Sequence, residues 1–457
     1  MKYALGNMLN GAGGLNPDGL SLDLQFAADK TLTARKGPTP VFTRASTGTF
    51  IGSNGLIQSA AINAARFDHD PLTLACNGLL IEESRANQCY NSNLLTSNSW
   101  SNTNASIATS DTAPDGSAAF EITETAVTGV HGIANSGGAT TILATSIISG
   151  VIYTLSVFAK KSTGSVDWIQ LSGTGLQFGT AQYANFNLAT GAIGNYTGVT
   201  SGTIPKMEQF PNGWYRCSMT VTAIATGLGN AITFQFTNNT NTTTRAPSYL
   251  GSTANKMKAA MAQFEAGSFA TSYIPTTSTA LTRSADVCSI SGADFTGMYN
   301  QTEGAMLVDA FTPASGIRYI VSCFAGFNKE VTLLTNVSAA ELKVVDGVSQ
   351  VDMSFGPPIS PNTAFKLACA YKLNDFAITQ NGVAPQTDTS GTVPTVNTMI
   401  VGSRIVGNTM CGCVASLRYY KKRLSDAKIQ TLTDSYDYTT SGGDFYVKSS
   451  QGRYSYR

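Results

Sequence analysis

Short runs in which apolar and polar residues alternate recur through the middle of the chain. They occupy residues 120–123, 153–157, 168–171, 215–219 and 232–236. Alternation with a period of two predicts strands with one buried face. Pro-Asp-Gly at 114–116 and Asn-Gly at 212–213 predict turns between such strands. The region from 93 to about 280 is therefore predicted to fold as a two-sheet antiparallel sandwich.

A second set of alternating runs lies toward the C-terminus. It includes residues 305–311, 377–380 and 414–420, and Asn381-Gly382 is a strong hairpin signal. One helix is predicted over 426–432, because Ser425 can cap it and Asp426 favours its first turn. The pattern thus predicts a second β-sandwich followed by one short helix.

The N-terminal part is rich in turns, and its strand-like pieces are too short for a large independent domain. The predicted organisation has four parts. They are an N-terminal segment 1–92, a sandwich at 93–295, a second sandwich at 296–437 and a tail at 438–457. The fold class predicted is mostly β, with two antiparallel sandwiches of jelly-roll type.

Targeting signals are weak. The N-terminus lacks an apolar core long enough for a secretory signal, so export by a signal peptide is not expected. The uncharged window 139–159 has the length of a membrane span, but Ser and Thr interrupt it. It is predicted to form two strands around the turn at Ser149-Gly150, and no membrane span is expected.

Composition supports the β prediction and excludes one class of partner. The chain has 457 residues, 42% of them hydrophobic and 12% charged, with 29 basic against 28 acidic residues. So balanced a charge makes nucleic acid an unlikely main partner. The 44 glycines, together with abundant Thr, Ser and Asn, suit turns and strands better than long helices.

Three sequence blocks carry a resemblance to tailed-bacteriophage fibre and spike proteins. Residues 42–50, 66–71 and 78–85 resemble a module near the N-terminus of such proteins. Residues 100, 113–116, 153–160, 212–216 and 263–276 resemble the carbohydrate-binding-module-like jelly roll that follows it. Residues 381–382, 400–402 and 417–429 are similar to a concanavalin-like or laminin-G-like lectin sandwich.

The resemblance implies a virion structural protein that is assembled in the host cytoplasm. It implies a homotrimer that contacts other virion proteins through the segment 1–92 and presents its sandwiches to host-surface glycans. Two alternatives stay open: a capsid decoration or head fibre with a mainly structural role, and a polysaccharide depolymerase. The head or tail position, the glycan and the host are not specified by the sequence.

The sequence offers little material for catalysis, so no enzyme activity and no catalytic residue are predicted. His69 and His131 are the only histidines, and no Gly-x-Ser-x-Gly turn is present. Glu82 and Glu83 would point to opposite faces of a strand, which does not suit glycoside hydrolysis. We expect them to pair with Arg85 or Arg66.

Metal sites are also weakly indicated. Cys411 and Cys413 share one face of an extended segment, but no further ligand lies nearby in sequence to complete a zinc site. Asp68 and Asp70 could share a face, yet two carboxylates fall short of a cation's six oxygens. A turn before Pro71 is the preferred interpretation. No cofactor is predicted; the resemblance leaves room for calcium without naming its ligands.

Sugar recognition usually requires an exposed aromatic ring beside polar groups. Trp100 and Trp214 lie in the blocks that resemble known modules and are predicted to pack in cores. Trp168, with the adjacent Asp167, is the candidate carbohydrate-binding pair, with buried packing as its alternative. The tail aromatics Phe445, Tyr446, Tyr454 and Tyr456 are predicted to pack on a neighbouring subunit or another virion protein.

Overall fold

Extended backbone dominates the chain, as its alternating pattern predicts. The structure is a computed structural model. It describes residues 18–434 except 94, 98, 136–146, 163–165, 174, 228–231, 314–315 and 405–408, together with the backbone of three strands between 437 and 455. Strands make up 49% and helices 7%. Multiple antiparallel sheets confirm the mostly-β class.

The elements follow one another in chain order. The first are β1 (Leu20–Leu24), α1 (Phe26–Asp29) and β2 (Val41–Thr43). Next come β3 (Gly48–Ile51), β4 (Ile57–Ala60), β5 (Phe67–His69), β6 (Cys76–Ile81), β7 (Arg85–Asn87), β8 (Trp100–Thr103), β9 (Ala105–Thr112), β10 (Ala118–Glu124), β11 (Thr128–Gly129), β12 (Gly132–Asn135), β13 (Ile152–Lys161), β14 (Trp168–Ser172), α2 (Gly175–Phe178), β15 (Tyr183–Asn187), β16 (Ile193–Thr197), β17 (Lys206–Gln209), β18 (Trp214–Thr222), β19 (Thr233–Phe236), β20 (Tyr249–Leu250), β21 (Lys256–Ala266) and β22 (Leu281–Arg283).

The remaining elements complete the C-terminal part. They are β23 (Val287–Ser291), α3 (Gly292–Met298), β24 (Glu303–Thr312), β25 (Arg318–Phe324), β26 (Lys329–Thr335), β27 (Ala340–Asp346), β28 (Val348–Phe355), β29 (Thr363–Lys372), β30 (Asp375–Gln380), β31 (Gln386–Asp388), β32 (Thr398–Val401), β33 (Gly412–Tyr420), α4 (Asp426–Thr433), β34 (Asp437–Ser441), β35 (Asp444–Ser449) and β36 (Gly452–Ser455).

The chain divides into two units that are not simple sequence segments. The central unit comprises residues 43–286; the terminal unit combines residues 18–42 with the chain from 287 onward. Residues 43–92 therefore belong with the jelly roll, whereas the sequence analysis sets 1–92 apart as one segment. The boundary near 286 lies nine residues before the predicted boundary at 295.

The central unit contains two six-stranded antiparallel sheets. One has the order β17-β18-β13-β21-β10-β9 and the other β16-β15-β14-β19-β12-β8. Each predicted strand of this region falls within one of these sheets, except that residue 232 precedes β19. Apolar side chains from both sheets form one core that includes Phe120, Leu155, Ile169, Phe186 and Phe234. The predicted sandwich is confirmed, since both sheets contribute their alternate residues to this core.

Five charged side chains from distant parts of the chain meet inside the central unit. We call Arg44, Arg66, Glu82, Arg283 and Asp286 the ionic cluster. Arg66 contacts both acids: its Nη1 lies 2.7 Å from Glu82 Oε2, and its Nη2 bonds Asp286. Arg44 Nη1 lies 3.2 Å from Asp286, and Arg283 Nη1 lies 3.1 Å from Glu82. The expected pairing of Glu82 with Arg66 is confirmed, as is that of Glu83 with Arg85.

Burial makes this cluster energetically demanding. No member of the cluster is more than 4% exposed. Burial alone would raise the pKa of the Glu82 carboxyl, but Arg283 and Arg66, with hydrogen bonds from Ser272, lower it to about 2. Removing one partner from such a cluster leaves an uncompensated buried charge, which is strongly destabilising.

The terminal unit has two further antiparallel sheets. In one, β31, β30, β29, β24 and β33 are bonded in that order, and β1 pairs with β33. The other contains β23-β32-β25-β26-β27-β28. The predicted turn at 381–382 joins β30 to β31, with positive φ at both residues. The predicted helix is α4, whose N-cap Ser425 accepts a hydrogen bond from Lys428 N at 3.3 Å.

Short helices and one turn complete the described fold. The short helices α1, α2 and α3 were not predicted; each has at most seven residues, too few to show a helical period. The turn at Ser149-Gly150 is present and β13 follows it, while 139–146 lie outside the described residues. Among the described helices, none is long and apolar enough to cross a membrane. Tyr456 and the side chains of Phe445, Tyr446 and Tyr454 also lie outside the description.

The lowered pKa of Glu82 predicts acid sensitivity of the central unit. Its pKa falls from 4.5 in the unfolded chain to about 2 in the folded one. The resulting stability is complete above the unfolded pKa and is lost as pH falls toward 2. This amounts to about 3 kcal/mol. We expect Glu82→Gln to be less stable at pH 7 and to lose less stability between pH 5 and pH 2 than the wild type.

The measurement is urea unfolding followed by tryptophan fluorescence, since all three tryptophans lie in the central unit. The control is Glu208→Gln, which removes an exposed carboxylate from β17 and should keep the wild-type decline. If wild type and Glu82→Gln declined in parallel, Glu82 would not be the acid-sensitive group.

Candidate functional site

The three tryptophans have different surroundings. Trp100 and Trp214 are buried, with exposures of 7% and 2%, which confirms their predicted packing role. Trp100 donates from Nε1 to Asn91 O at 3.1 Å. Trp168 opens β14 and is only half-buried. Its indole is therefore the tryptophan ring that solvent can reach, on the jelly roll where the sequence placed the candidate site.

Beside Trp168, a row of amides crosses three strands on the outer face of their sheet. Asn185, Gln170 and Gln235 are direct neighbours in register, on the face opposite the core residues Ile169 and Leu171. Gln170 Nε2 donates to Asn185 Oδ1 at 3.0 Å. All three amides are nevertheless buried. Two of them, Gln170 and Asn185, bond the segment 237–246, which we call the amide loop.

Side-chain amides hold this loop against the sheet. Gln170 Nε2 donates to Thr244 O at 3.1 Å, and Gln170 Oε1 accepts from Ala246 N at 2.7 Å. Asn185 Nδ2 donates to Thr242 O at 2.7 Å. Each of these bonds satisfies a buried amide that would be costly without a partner. The buried row thus fixes the position of the loop rather than offering groups to a ligand.

Two exposed asparagines of the loop flank the indole. Asn239 Oδ1 accepts from the backbone of Asp167 at 2.6 Å and of Trp168 at 3.3 Å. Asn241 Oδ1 accepts from Asn195 N at 2.7 Å and from Asn185 Nδ2 at 3.2 Å. Within the described residues, neither Asn239 Nδ2 nor Asn241 Nδ2 donates to the protein. Two oriented NH2 groups beside an aromatic ring are therefore available to an outside acceptor.

Gly194 on β16 allows the ring and the loop to meet. A Cβ at this position would collide with both Asn241 Oδ1 and Trp168 Cζ3. The loop amide and the indole edge consequently lie side by side above the glycine backbone. We call the surface formed by Trp168, Asn239, Asn241 and Asn195 the indole surface.

Asp167, the predicted partner of Trp168, faces a cation. Its carboxylate forms an ion pair with Lys161, and the two side chains are 34% and 42% exposed. An exposed pair of this kind contributes little stability. It leaves the edge of the indole surface without net charge, and either partner can exchange its contact for a ligand hydroxyl.

The acidic and cysteine motifs have structural surroundings. Asp70 Oδ1 accepts hydrogen bonds from Leu72 N, Thr73 N and Thr73 Oγ1, which is the predicted turn. Burial raises the pKa of Asp68 to about 7, and its Oδ1 accepts a hydrogen bond from Ile51 N at 2.7 Å. Cys411 and Cys413 are buried thiols. No group of three His, Cys, Asp or Glu suited to a metal occurs in the part of the chain that the structure describes.

One exposed ring was missed by the sequence analysis. Phe327, between β25 and β26, is 60% exposed. The Arg404 guanidinium lies 5.7 Å from its centroid and 5.4 Å from that of Tyr319, and Arg404 Nε pairs with the buried Glu330 at 2.8 Å. A phenylalanine in a turn carries no distinctive sequence signal. Gly326, at the start of the turn, was the one residue that could have indicated a turn beside this ring.

Comparison with known proteins adds only structural likenesses. No model of a protein family matches the chain, and no curated protein matches it. The CBM40 of Ruminococcus gnavus IT-sialidase bound to α2,3-sialyllactose has a TM-score of 0.28 at 13% identity, covering 31% of this chain and 87% of that chain.

Two further solved structures are similar over comparable lengths. Domain 4 of AbnA, a GH43 extracellular arabinanase from Geobacillus stearothermophilus, in complex with arabinotriose, has a TM-score of 0.27 at 14% identity, covering 33% of this chain and 73% of that one. The SAP-like pentraxin of Limulus polyphemus has a TM-score of 0.24 at 14% identity, covering 30% and 73%. Scores this low carry no argument about a ligand, so the site must be judged on its own chemistry.

Gly194→Ala tests the geometry of the indole surface. The new methyl group would displace the indole, the Asn241 amide or both, so we expect Trp168 to become more accessible. Acrylamide quenching of fluorescence measures this, because the other two tryptophans are buried. Gly175→Ala is the control, since a Cβ there meets only Thr180 at ordinary distances of 3.6 Å and above. Unchanged quenching in Gly194→Ala would contradict the described packing.

Proposed function

We propose that the chain is a non-enzymatic glycan-binding protein and that its central unit contacts sugar through the indole surface. The observation that carries the proposal is the half-exposed Trp168 ring beside the two unpartnered NH2 groups of Asn239 and Asn241. An indole face packs on the C–H face of a pyranose, and amide N–H groups donate to its hydroxyls. Lack of net charge at Asp167 and Lys161 suits a largely neutral ligand.

The state of the acidic side chains supports a binding rather than a hydrolytic role. Glu121 bonds Lys256 at 3.0 Å, and Glu265 accepts from Thr271 N at 2.9 Å. Asp309 belongs to the other unit. Hydrolysis of a glycoside needs two carboxylates facing one bond about 5 to 10 Å apart. Glu121 and Glu265 instead have separate structural partners.

We further propose that the protein is a subunit of a tailed-phage fibre or spike. This rests on the sequence resemblance of the three blocks, which implies a homotrimer attached to other virion proteins. A shallow, solvent-exposed sugar site binds weakly on its own, and several copies on one particle would raise the overall avidity. A capsid decoration or head fibre is the second candidate, because the same blocks and the same fold suit it equally.

Trp168→Ala is expected to reduce glycan binding at least about tenfold, as removal of a central aromatic contact typically does. The assay is a glycan array with host-surface polysaccharides, followed by titration of the best ligand. The matched control is Tyr196→Ala, because Tyr196 is an aromatic residue on the neighbouring part of the same sheet and is 42% exposed. It should bind as the wild type does.

Two results would count against this function. Equal losses in Trp168→Ala and Tyr196→Ala would show that the indole surface is not the site. Release of new reducing ends from the bound polysaccharide would favour the depolymerase alternative over an adhesin.

The virion assignment predicts where the protein lies. Intact phage labelled with an antibody against residues 304–432 and viewed by electron microscopy should carry label at the tail. Label over the head would favour the decoration protein, and virions without label would contradict both virion proposals. An antibody against a known major capsid protein serves as the labelling control.

A further inference from the structure

Four Asn-Gly pairs lie in the described part of the chain, at 54–55, 77–78, 212–213 and 381–382. The asparagine of such a pair is open to attack by its own backbone, because the following glycine has no Cβ to block the approach. The reaction needs a carboxamide that is free to rotate and room for the glycine nitrogen to reach it. The surroundings of the four pairs therefore decide which of them reacts in the folded protein.

Asn212 and Gly213 form the exposed tip of the turn between β17 and β18. Both residues have positive φ, 60° at Asn212 and 77° at Gly213. The turn is closed behind them, since Trp214 N donates to Pro211 O and Phe210 N donates to Trp214 O at 2.8 Å. Within the described residues, no hydrogen bond restrains the Asn212 carboxamide. A Cβ built at Gly213 would meet no atom within 4 Å beyond its chain neighbours, so the tip is open.

The pair at 381–382 also lies in a hairpin turn, but both of its reacting groups are held. Asn381 Oδ1 accepts from Lys366 N at 2.8 Å, and Gly382 N donates to Thr433 Oγ1 at 3.2 Å. A Cβ at Gly382 would lie 3.0 Å from Asp434 Oδ1, so the glycine is packed closely. Attack here would require breaking two hydrogen bonds, one of them to the nucleophile itself.

The two remaining pairs are restrained as well. Asn54 Oδ1 accepts from Leu56 N at 3.1 Å, and Gly55 N donates to Gly52 O at 3.0 Å. The pair at 77–78 lies inside β6, and its glycine is buried. Of the four pairs, the one at 212–213 thus combines exposure, a free carboxamide and an open glycine.

We propose that Asn212 is a site of spontaneous deamidation and isomerisation in the folded protein. The Gly213 nitrogen attacks Asn212 Cγ and gives up its proton. A new N–Cγ bond closes a five-membered succinimide, and the side-chain nitrogen takes a proton and leaves as ammonia. This inference does not depend on the indole surface.

Water completes the reaction and is its only co-reactant. It adds to one of the two ring carbonyls: its OH stays on that carbon, its proton goes to the Gly213 nitrogen, and the C–N bond between them breaks. Addition at Asn212 Cγ leaves aspartate. Addition at the main-chain carbonyl leaves isoaspartate, in which the backbone runs through Cγ and is one atom longer.

Either product changes the charge of the whole molecule. Each event places one new carboxylate at the end of the hairpin. The formal net charge of the chain at pH 7 is +1, so a single event brings it to zero. Proteins without net charge associate more readily than charged ones, so conversion at this turn would favour self-association.

The test follows all four pairs in one sample of the full chain, incubated in warm, mildly alkaline buffer and then digested with trypsin. Cleavage after Lys and Arg places the pairs in separate peptides, 45–66, 67–85, 207–216 and 373–404. Mass spectrometry measures the fraction of each peptide in which OH has replaced NH2, and an aliquot taken at time zero corrects for reaction during digestion. Peptide 207–216 should convert severalfold faster than the other three and give two products of equal mass that chromatography separates.

Incubation in guanidinium chloride separates the effect of the fold from that of the sequence. All four carboxamides are free in the unfolded chain, so the four pairs should then convert at similar rates. Asn212→Gln should stop conversion of peptide 207–216, because its amide carbon lies one methylene further from Gly213. Asn362→Gln is the matched control: Asn362 is exposed with the same φ of 60° but precedes Thr363, and its loss should leave conversion at Asn212 unchanged. The proposal is overturned if Asn212 converts no faster than Asn381 in the folded chain, or if its lead persists undiminished in the unfolded one.

Discussion

The ionic cluster is the interaction on which the central unit depends. Arg44 and Asp286 are 242 positions apart and lie at the two ends of the unit, yet their side chains are fully buried against each other. Arg66, just before β5, and Glu82, just after β6, complete the connection. Since each buried charge is tolerable only with its partners in place, the cluster forms only when both ends of the unit have folded together. This explains why residues 43–92 and the jelly roll make one unit.

Local features of the fold could be predicted from the sequence, whereas features that depend on long-range contacts could not. Local signals identified strands such as β13, β18 and β24, because a period of two is encoded in neighbouring residues. The turn at Asn381-Gly382 and the cap at Ser425 were equally local. The unit boundaries were not local, because they follow from contacts such as Arg44 with Asp286. Nothing near Arg44 in sequence indicates which distant carboxylate it contacts.

The candidate site also contains residues that the sequence could identify and residues whose roles depend on the fold. Trp168 and Asp167 were accessible to sequence reasoning, since an aromatic ring beside a polar residue is a visible pattern. The roles of Asn239, Asn241 and Gly194 were not. They depend on the register that places Asn185 beside Gln170, and on the loop that this buried pair holds. The residues from 237 to 246 are mostly polar, but their order does not indicate which of the amides are bonded and which are free.

The low charge content of the chain acquires a physical meaning from these two regions. In the interior of the central unit, five of the buried charged side chains, three arginines and two carboxylates, contact one another in the ionic cluster. Where a loop must be held at the surface, the protein uses Asn, Gln and Thr, whose amides and hydroxyls bond the backbone without the desolvation cost of ions. A surface held by neutral amides is nearly insensitive to salt, whereas an ion-paired one would weaken as salt rises. The indole surface can therefore keep its geometry over a wide range of ionic strength.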